Sequence, residues 1–259
     1  MRRLIAFDCA GDTLLGSLDE APGTTGLLIV SGGNEVRAGA HRGMAMLAAD
    51  VAAAGHPVFR FDRRGVGDSS GANSGYEGAR DDLLAAIAAF RAAAPGVDRL
   101  VGFGNCDAAS ALLLHAPDRF ARLLLANPWT IEAASDLPPP AAIRARYAAR
   151  LRDPAQWWRL ARGEVNFTRL WKGLRKISAS RSQLGWLEAA LFAALAAHRS
   201  ARVLLAEGDA TAKAFADAAR RAGWSGDVTR LATPSHSFAR AEDKAALRAW
   251  VLAGMESLS

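Results

Sequence analysis

Three residues lying far apart in this chain of 259 residues have the side chains that acyl-transfer chemistry needs: Cys106, Asp209 and His236. Cys106 stands in Gly104-Asn105-Cys106-Asp107-Ala108, a glycine–x–nucleophile–x–small pattern with cysteine in place of serine and alanine in place of the final glycine. A sharp turn from strand into helix holds such a nucleophile in a strained backbone conformation, so its neighbours must be small. The helix N-terminus that follows favours a thiolate and a developing oxyanion. A lone cysteine at such a turn is more often a small buried hydrophobe, so the pattern needs partners. Asp209 follows an apolar run in Ala206-Glu207-Gly208-Asp209, and His236 follows another in Pro234-Ser235-His236-Ser237-Phe238. An imidazole taking the thiol proton at Nε2, with a carboxylate holding its Nδ1–H, would complete a nucleophile–base–acid arrangement. The oxyanion needs two N–H donors. One is expected at Asp107, directly after the nucleophile, and the other in the turn after Gly26–Ser31, at Gly33 or Asn34. Glu35, Arg37 and His41 follow that turn and, with Trp129, are candidates to line the pocket.

The elements that must position these groups are legible as periodicity. Leu4–Asp8 and Leu14–Leu18 read as two short strands joined by Ala10-Gly11-Asp12. Gly26–Ser31 is a continuous apolar run of buried-strand type, ending in Gly32-Gly33-Asn34. Met44, Leu47 and Val51 mark a helix stopped by Gly55, Pro57–Phe61 is the next strand, and Leu83, Leu84, Ile87 and Phe90 mark a second helix. The elbow strand and helix follow, then strand Leu123–Ala126, closed by Asn127-Pro128. Later come strand Ala201–Ala206, helix Thr211–Ala222, strand Asp227–Leu231 and helix Asp243–Leu252. This alternation predicts an α/β class with a mostly parallel sheet, right-handed crossovers and helices on both faces. In such sheets sites lie beyond the C-terminal strand ends, where Cys106, Asp209 and His236 are all expected.

Residues 128–200 break the rhythm and read as helices only, marked by Ile143/Tyr147/Leu151, Phe167/Leu170/Trp171/Leu174 and Leu184/Leu187/Leu191/Leu195. The expected organisation is therefore one core, 1–127 with 201–259, split by a helical lid over 128–200. The net charge of +6 is unevenly spread: Arg144–Arg181 holds nine Arg and two Lys against Asp153 and Glu164, an excess of +9 that leaves the rest at −3. A basic insert of this kind suits a solvated face, the steering of an anionic acyl donor such as a CoA thioester or a carrier protein, or an anionic lipid surface. No recognition motif accompanies the charge, so nucleic acid is not an expected partner. Two cysteines make neither a disulfide framework nor a metal spacing. The four-residue apolar stretch ending at Asp8 is too short for a signal peptide, and a cytoplasmic protein is the expectation. Arg63, Arg64 and Asp68 read as architecture; so do His56, His115 and His198, and Cys9 reads as inert.

The FDRRGVGDS run, the Cys elbow and the late Asp and His resemble the α/β-hydrolase superfamily over nearly the whole chain. More narrowly, GGNEVRAGAHR, RFDRRGVGDSSG, GNCDAASALLLHA and NPW before an Arg/Trp-rich insert resemble the exosortase A system-associated hydrolase 1 family. That resemblance implies an intracellular hydrolase encoded with bacterial exopolysaccharide and protein-sorting systems. The expected activity is hydrolysis of a carboxylic ester or thioester through an acyl-cysteine, with neither metal nor organic cofactor. Two alternatives stand beside it: acyl transfer to an alcohol by the same residues, and an accessory binding protein that keeps an idle triad.

Overall fold

The computed structural model describes residues 1–132 and 184–256. Within them the chain runs β1 (Arg2–Cys9), β2 (Asp12–Asp19), β3 (Thr25–Val30), α1 (Gly43–Ala53), β4 (Val58–Phe61), α2 (Arg80–Ala93), β5 (Arg99–Asn105), α3 (Asp107–His115) and β6 (Arg122–Ala126). After the gap in the description come α4 (Trp186–Ala197), β7 (Arg202–Ala206), α5 (Ala210–Ala222), β8 (Asp227–Leu231) and α6 (Ala241–Glu256). The eight strands form one sheet in the order β1-β2-β4-β3-β5-β6-β7-β8. β1 and β2 pair antiparallel, β2 pairs antiparallel with β4, and the rest of the sheet is parallel.

The sequence explains this order. β1 and β2 run from Arg2 to Asp19, longer than expected, because a two-residue loop closes them: Ala10 and Gly11 have φ of 52° and 90°. Positive φ at both central residues is the turn whose twist matches a hairpin. Central strands covered on both faces must be apolar throughout, and β3, TGLLIV, is buried at every position. Its alternation divides two cores. Leu28 and Val30 face a layer built from Phe59, Phe61, Leu83, Ile87, Phe90 and Leu112, with Leu187, Leu191 and Phe215 beyond. Leu27 and Ile29 face Met44, Leu47, Val58, Val101, Phe103, Leu247 and Val251. Helices α2 to α5 thus cover one face, and α1 and α6 the other.

The predicted helix markers Ile143/Tyr147/Leu151 and Phe167/Leu170/Trp171/Leu174 lie outside the described residues, as does the basic run Arg144–Arg181. Of the marker set Leu184/Leu187/Leu191/Leu195, the last three lie in α4, which does not stand apart from the core. Leu187, Leu191 and Leu195 are buried in the larger core, and Phe192 packs on Phe215 with ring centroids 5.5 Å apart. The physical reason is topological: β6 and β7 are parallel neighbours, and a helix packed on the sheet must cross between them. Among the described residues no helix is long and apolar enough to cross a membrane.

Candidate active site

β5 ends at Asn105 and α3 begins at Asp107, so the whole change of direction falls on Cys106, with φ 62° and ψ −128°. A non-glycine residue there is strained and persists only where its surroundings over-determine it. They do so here. The Cys106 N–H donates to the Ala126 carbonyl at 3.0 Å, and the Cys106 carbonyl accepts from Ala109 and Trp129, each at 3.2 Å. The small neighbours are required by contact: a Cβ on Gly104 would lie 2.7 Å from main-chain atoms of Ala108 and Ala109. Cys106 is half-buried, and the first N–H groups of α3 have no carbonyl within the helix to bond.

The structure brings the two expected partners to this turn. His236 Nδ1 lies 3.1 Å from Asp209 Oδ2. Cys106 lies close enough to the same imidazole to act on its charge. Asp209 is the N-cap of α5, and its Oδ2 accepts the Ala212 N–H at 2.9 Å, which fixes the carboxylate in place. Burial pushes the Asp209 carboxyl up, but hydrogen bonds from His236 and from the start of α5 outweigh it and hold the group below its ordinary range. The same pairing acts on His236: its interaction with Asp209, then that with Cys106, raises the imidazole pKa to about 10 against the opposing effect of burial. The His236 loop is pinned on both sides. Gly208 N–H donates to the Thr233 carbonyl at 2.9 Å, and the Thr233 hydroxyl donates to buried Asp243 at 2.7 Å. Phe238, fully buried with φ 53°, anchors the loop beyond His236.

The turn after β3 packs against the elbow from the other side. Gly32 is buried, and a Cβ there would come within 2.6 Å of Asp107 Oδ1 and 2.7 Å of the Asn105 carbonyl. Gly33 donates its N–H to Asp107 Oδ1 at 2.6 Å. Buried Arg63 completes a clamp, donating to the Gly33 carbonyl at 2.5 Å and to Asp107 Oδ2 at 3.2 Å. Of the two expected second donors, Gly33 is therefore engaged by the side chain of the residue that supplies the first. No contact among the described residues holds the Asn34 N–H, and the Asn34 side chain accepts from Asn73.

The other candidates divide. Glu35 lies in the same electrostatic neighbourhood: burial raises its pKa, His236 lowers it and Asp107 raises it. Trp129 touches the elbow through its main chain, while its indole N–H donates to the Ile131 carbonyl at 2.6 Å. Arg37 does not turn toward Cys106; it pairs with Asp62 and with Asp68 at 2.9 Å and bonds Ser17 at 3.1 Å, so it braces the 62–68 loop. His41 is exposed in a short 3-10 turn, with no bond to the elbow or to His236 among the described residues. Arg64, read as architecture, bonds Asp82 at 2.5 Å. Arg63 does more than that reading gave it, because it ties the turn after β3 to Asp107. Cys9 is buried and its thiol is pushed up to about 11, mainly by burial and then by Asp82. No group of three or more His, Cys, Asp or Glu that could hold a metal occurs among the described residues.

Two site residues escaped the sequence reading. Asn105 and Asn127, both buried, bond each other and the main-chain carbonyl of His236. The one available signal was an amide side chain closing each of two apolar strands.

No family model matches the chain, and no curated protein matches it. Solved structures do. XC6422 from Xanthomonas campestris, described as an α/β serine hydrolase without a lid, aligns with a TM-score of 0.61 at 17% identity, covering 99% of this chain and 94% of that one. The esterase Pf2001 from Pyrococcus furiosus aligns at 0.63 and 14% identity, covering 99% and 90%. The thioesterase domain from the curacin biosynthetic pathway aligns at 0.57 and 13% identity, covering 97% and 99%. With its sheet order, its strained strand-to-helix elbow and these likenesses over nearly the full length, the chain has the α/β-hydrolase fold.

Proposed function

We propose that the protein hydrolyses a carboxylic ester or thioester with Cys106 as nucleophile, His236 as acid and base, and Asp209 as the carboxylate that orients His236. One observation carries this reading: His236 Nδ1 stands 3.1 Å from Asp209 Oδ2, and Cys106 at the elbow is near enough to act on the same imidazole. An imidazole held by a carboxylate beside a cysteine is the arrangement that activates such a nucleophile. The Cys106 sulfur attacks the acyl carbon, and the carbonyl π pair moves onto oxygen. The resulting oxyanion is met by the Asp107 N–H and by an N–H of the turn after β3, Asn34 or a Gly33 released by Asp107. Collapse breaks the bond to the leaving group, which takes the proton from His236. Water then gives a proton to His236 and attacks the thioester carbon, and the C–S bond breaks to free the acid and the thiolate.

Because a thiolate leaves readily, this cycle suits activated esters, lactones and thioesters. The esterase and thioesterase among the fold's neighbours support the bond type; the neighbours described as serine hydrolases leave the cysteine as this chain's own feature. The resemblance of the elbow, the FDRRGVGDS run and the NPW segment to the exosortase A system-associated hydrolase 1 family points the same way. We further propose that the basic run Arg144–Arg181 attracts an anionic acyl donor, a CoA- or carrier-linked thioester.

The test is a screen of short p-nitrophenyl esters beside acyl-CoA thioesters, run on the wild type and on Cys106→Ala. Turnover that vanishes in the folded Cys106→Ala variant is expected. Undiminished turnover in that variant would overturn the assignment. Ester products appearing when acceptor alcohols are added would convert it to acyl transfer.

A further inference from the structure

Cys106, Asp209 and His236 sit on three different strand ends, so something must fix those ends relative to one another. Backbone pairing holds β5, β6, β7 and β8 side by side, but the loop carrying His236 runs on beyond the end of β8, two strands further out than β6. Two buried asparagines bridge that distance. Asn105, the residue before the nucleophile, donates from Nδ2 to the His236 carbonyl at 3.1 Å. Asn127, at the end of β6, donates from Nδ2 to Asn105 Oδ1 at 3.1 Å and to the same His236 carbonyl at 3.4 Å. Its Oδ1 accepts the N–H of Ala206, the last residue of β7 and three before Asp209, at 2.8 Å. Its own N–H donates to the Leu204 carbonyl at 2.9 Å.

The pattern is self-consistent in only one orientation. Ala206 offers a donor, so Asn127 must present oxygen to it and nitrogen to the other side. Asn105 must then present oxygen to Asn127 and nitrogen to the His236 carbonyl. Neither Asp nor Leu can reproduce this. An aspartate has no donor for a carbonyl, and a leucine leaves buried polar groups without partners. Asn127 is fully buried and has φ 41°, a conformation that asparagine tolerates better than other side chains and that turns its amide into the gap between the strand ends.

We propose that Asn105 and Asn127 are positioning residues for the acyl-transfer reaction: their amides hold the main chain at His236 and the end of β7 in register with the elbow, so that the imidazole meets Cys106 and Asp209 together. This rests on the triad assigned above. The pair touches neither substrate nor reacting atoms; it acts through where His236 stands.

The test compares Asn105→Leu, Asn105→Asp and Asn127→Asp with wild type by three readouts: kcat and KM on a p-nitrophenyl ester, the pH profile of Cys106 alkylation by iodoacetamide, and melting temperature. A displacement near 1 Å costs on the order of 10²-fold. So kcat should fall about 10- to 100-fold with KM within about twofold, and Cys106 alkylation near pH 7 should slow while its rate at alkaline pH is kept. A lower melting temperature with kcat and the alkylation profile unchanged would overturn the proposal and leave the pair a purely structural role. Where one variant does not fold, the same readouts on the remaining two decide. His236→Ala separates this outcome from failure of the triad itself. If that variant slows Cys106 alkylation and the asparagine variants do not, only the positioning role falls; if His236→Ala leaves alkylation unchanged, the triad falls with it.

Discussion

Gly32→Ala is the change that most sharply separates the oxyanion turn from the nucleophile. Its Cβ would stand 2.6 Å from Asp107 Oδ1 and 2.7 Å from the Asn105 carbonyl, with Cys106 Cβ at 3.6 Å. Ordinary contact begins at 3.4 Å, so relief needs a shift of about 0.8 Å at the closer atom. Neither neighbour yields freely. The carbonyl belongs to β5, paired on both sides, and rotating the carboxylate away gives up its bonds to Gly33 and Arg63. The turn itself must therefore retreat from the elbow by close to an ångström. Losing one oxyanion donor costs about 10² to 10³ in kcat, roughly 2.7–4 kcal/mol. Overpacking of this kind also costs about 1–3 kcal/mol of stability. Kinetics on a p-nitrophenyl ester should show kcat/KM lowered about 10²-fold, with the protein still folded by circular dichroism. Iodoacetamide alkylation needs no oxyanion hole, and His236 and Asp209 lie on other loops, so Cys106 should label at the wild-type rate. Full esterase activity in Gly32→Ala would refute the placing of the second donor in this turn. A collapse in labelling would refute the separation of turn from thiolate.

Other expectations follow from the same geometry. Asp209→Asn removes the acceptor that holds the His236 Nδ1–H and should lower kcat by up to about 10⁴-fold, measured on the same ester; full activity would mean that another acid serves. Because the folded-state pKa of His236 is raised from 6.5 to about 10, its contribution to stability is complete below about pH 6.5 and is lost as pH climbs toward 10. Asp209, held below its ordinary pKa, works in the opposite sense and loses its contribution as pH falls through the acidic range. Melting temperatures of wild type and His236→Ala should therefore draw together between pH 7 and pH 10. Gly104→Ala puts a Cβ 2.7 Å from the main chain of α3 and should cost about 1–3 kcal/mol in denaturant unfolding, with activity reduced as the elbow shifts.

What the sequence made legible was what repeats or what has a local cause. β3 and β6 announce themselves as unbroken apolar runs because both faces of a central parallel strand are covered. The elbow is legible because one glycine and one alanine must make room for a strained cysteine. That Asp209 and His236 stand close together was legible from strand ends, since a parallel sheet collects its loops at one end. Long-range polar geometry was not legible. Nothing near Arg37 indicates that it would brace Asp62 and Asp68, and nothing near Asp107 indicates that its carboxylate would take the Gly33 N–H. The Asn105–Asn127 pair joins residues 22 apart to a loop more than 100 further on, a relation with no periodicity to betray it. The apolar spacing of α4 reports that a face is buried and not which surface buries it, so its packing on the larger core was not legible.

The central claim is that substrate passes through a covalent bond to the Cys106 sulfur. Mixing the enzyme with a p-nitrophenyl ester, quenching in acid within the first turnover and mapping peptides by mass spectrometry measures that bond directly. The account predicts one acyl group on the peptide carrying Cys106, formed as fast as p-nitrophenol is released, and none in Cys106→Ala. Release of p-nitrophenol with no adduct on Cys106, or an adduct on another residue formed at the same rate, would contradict it.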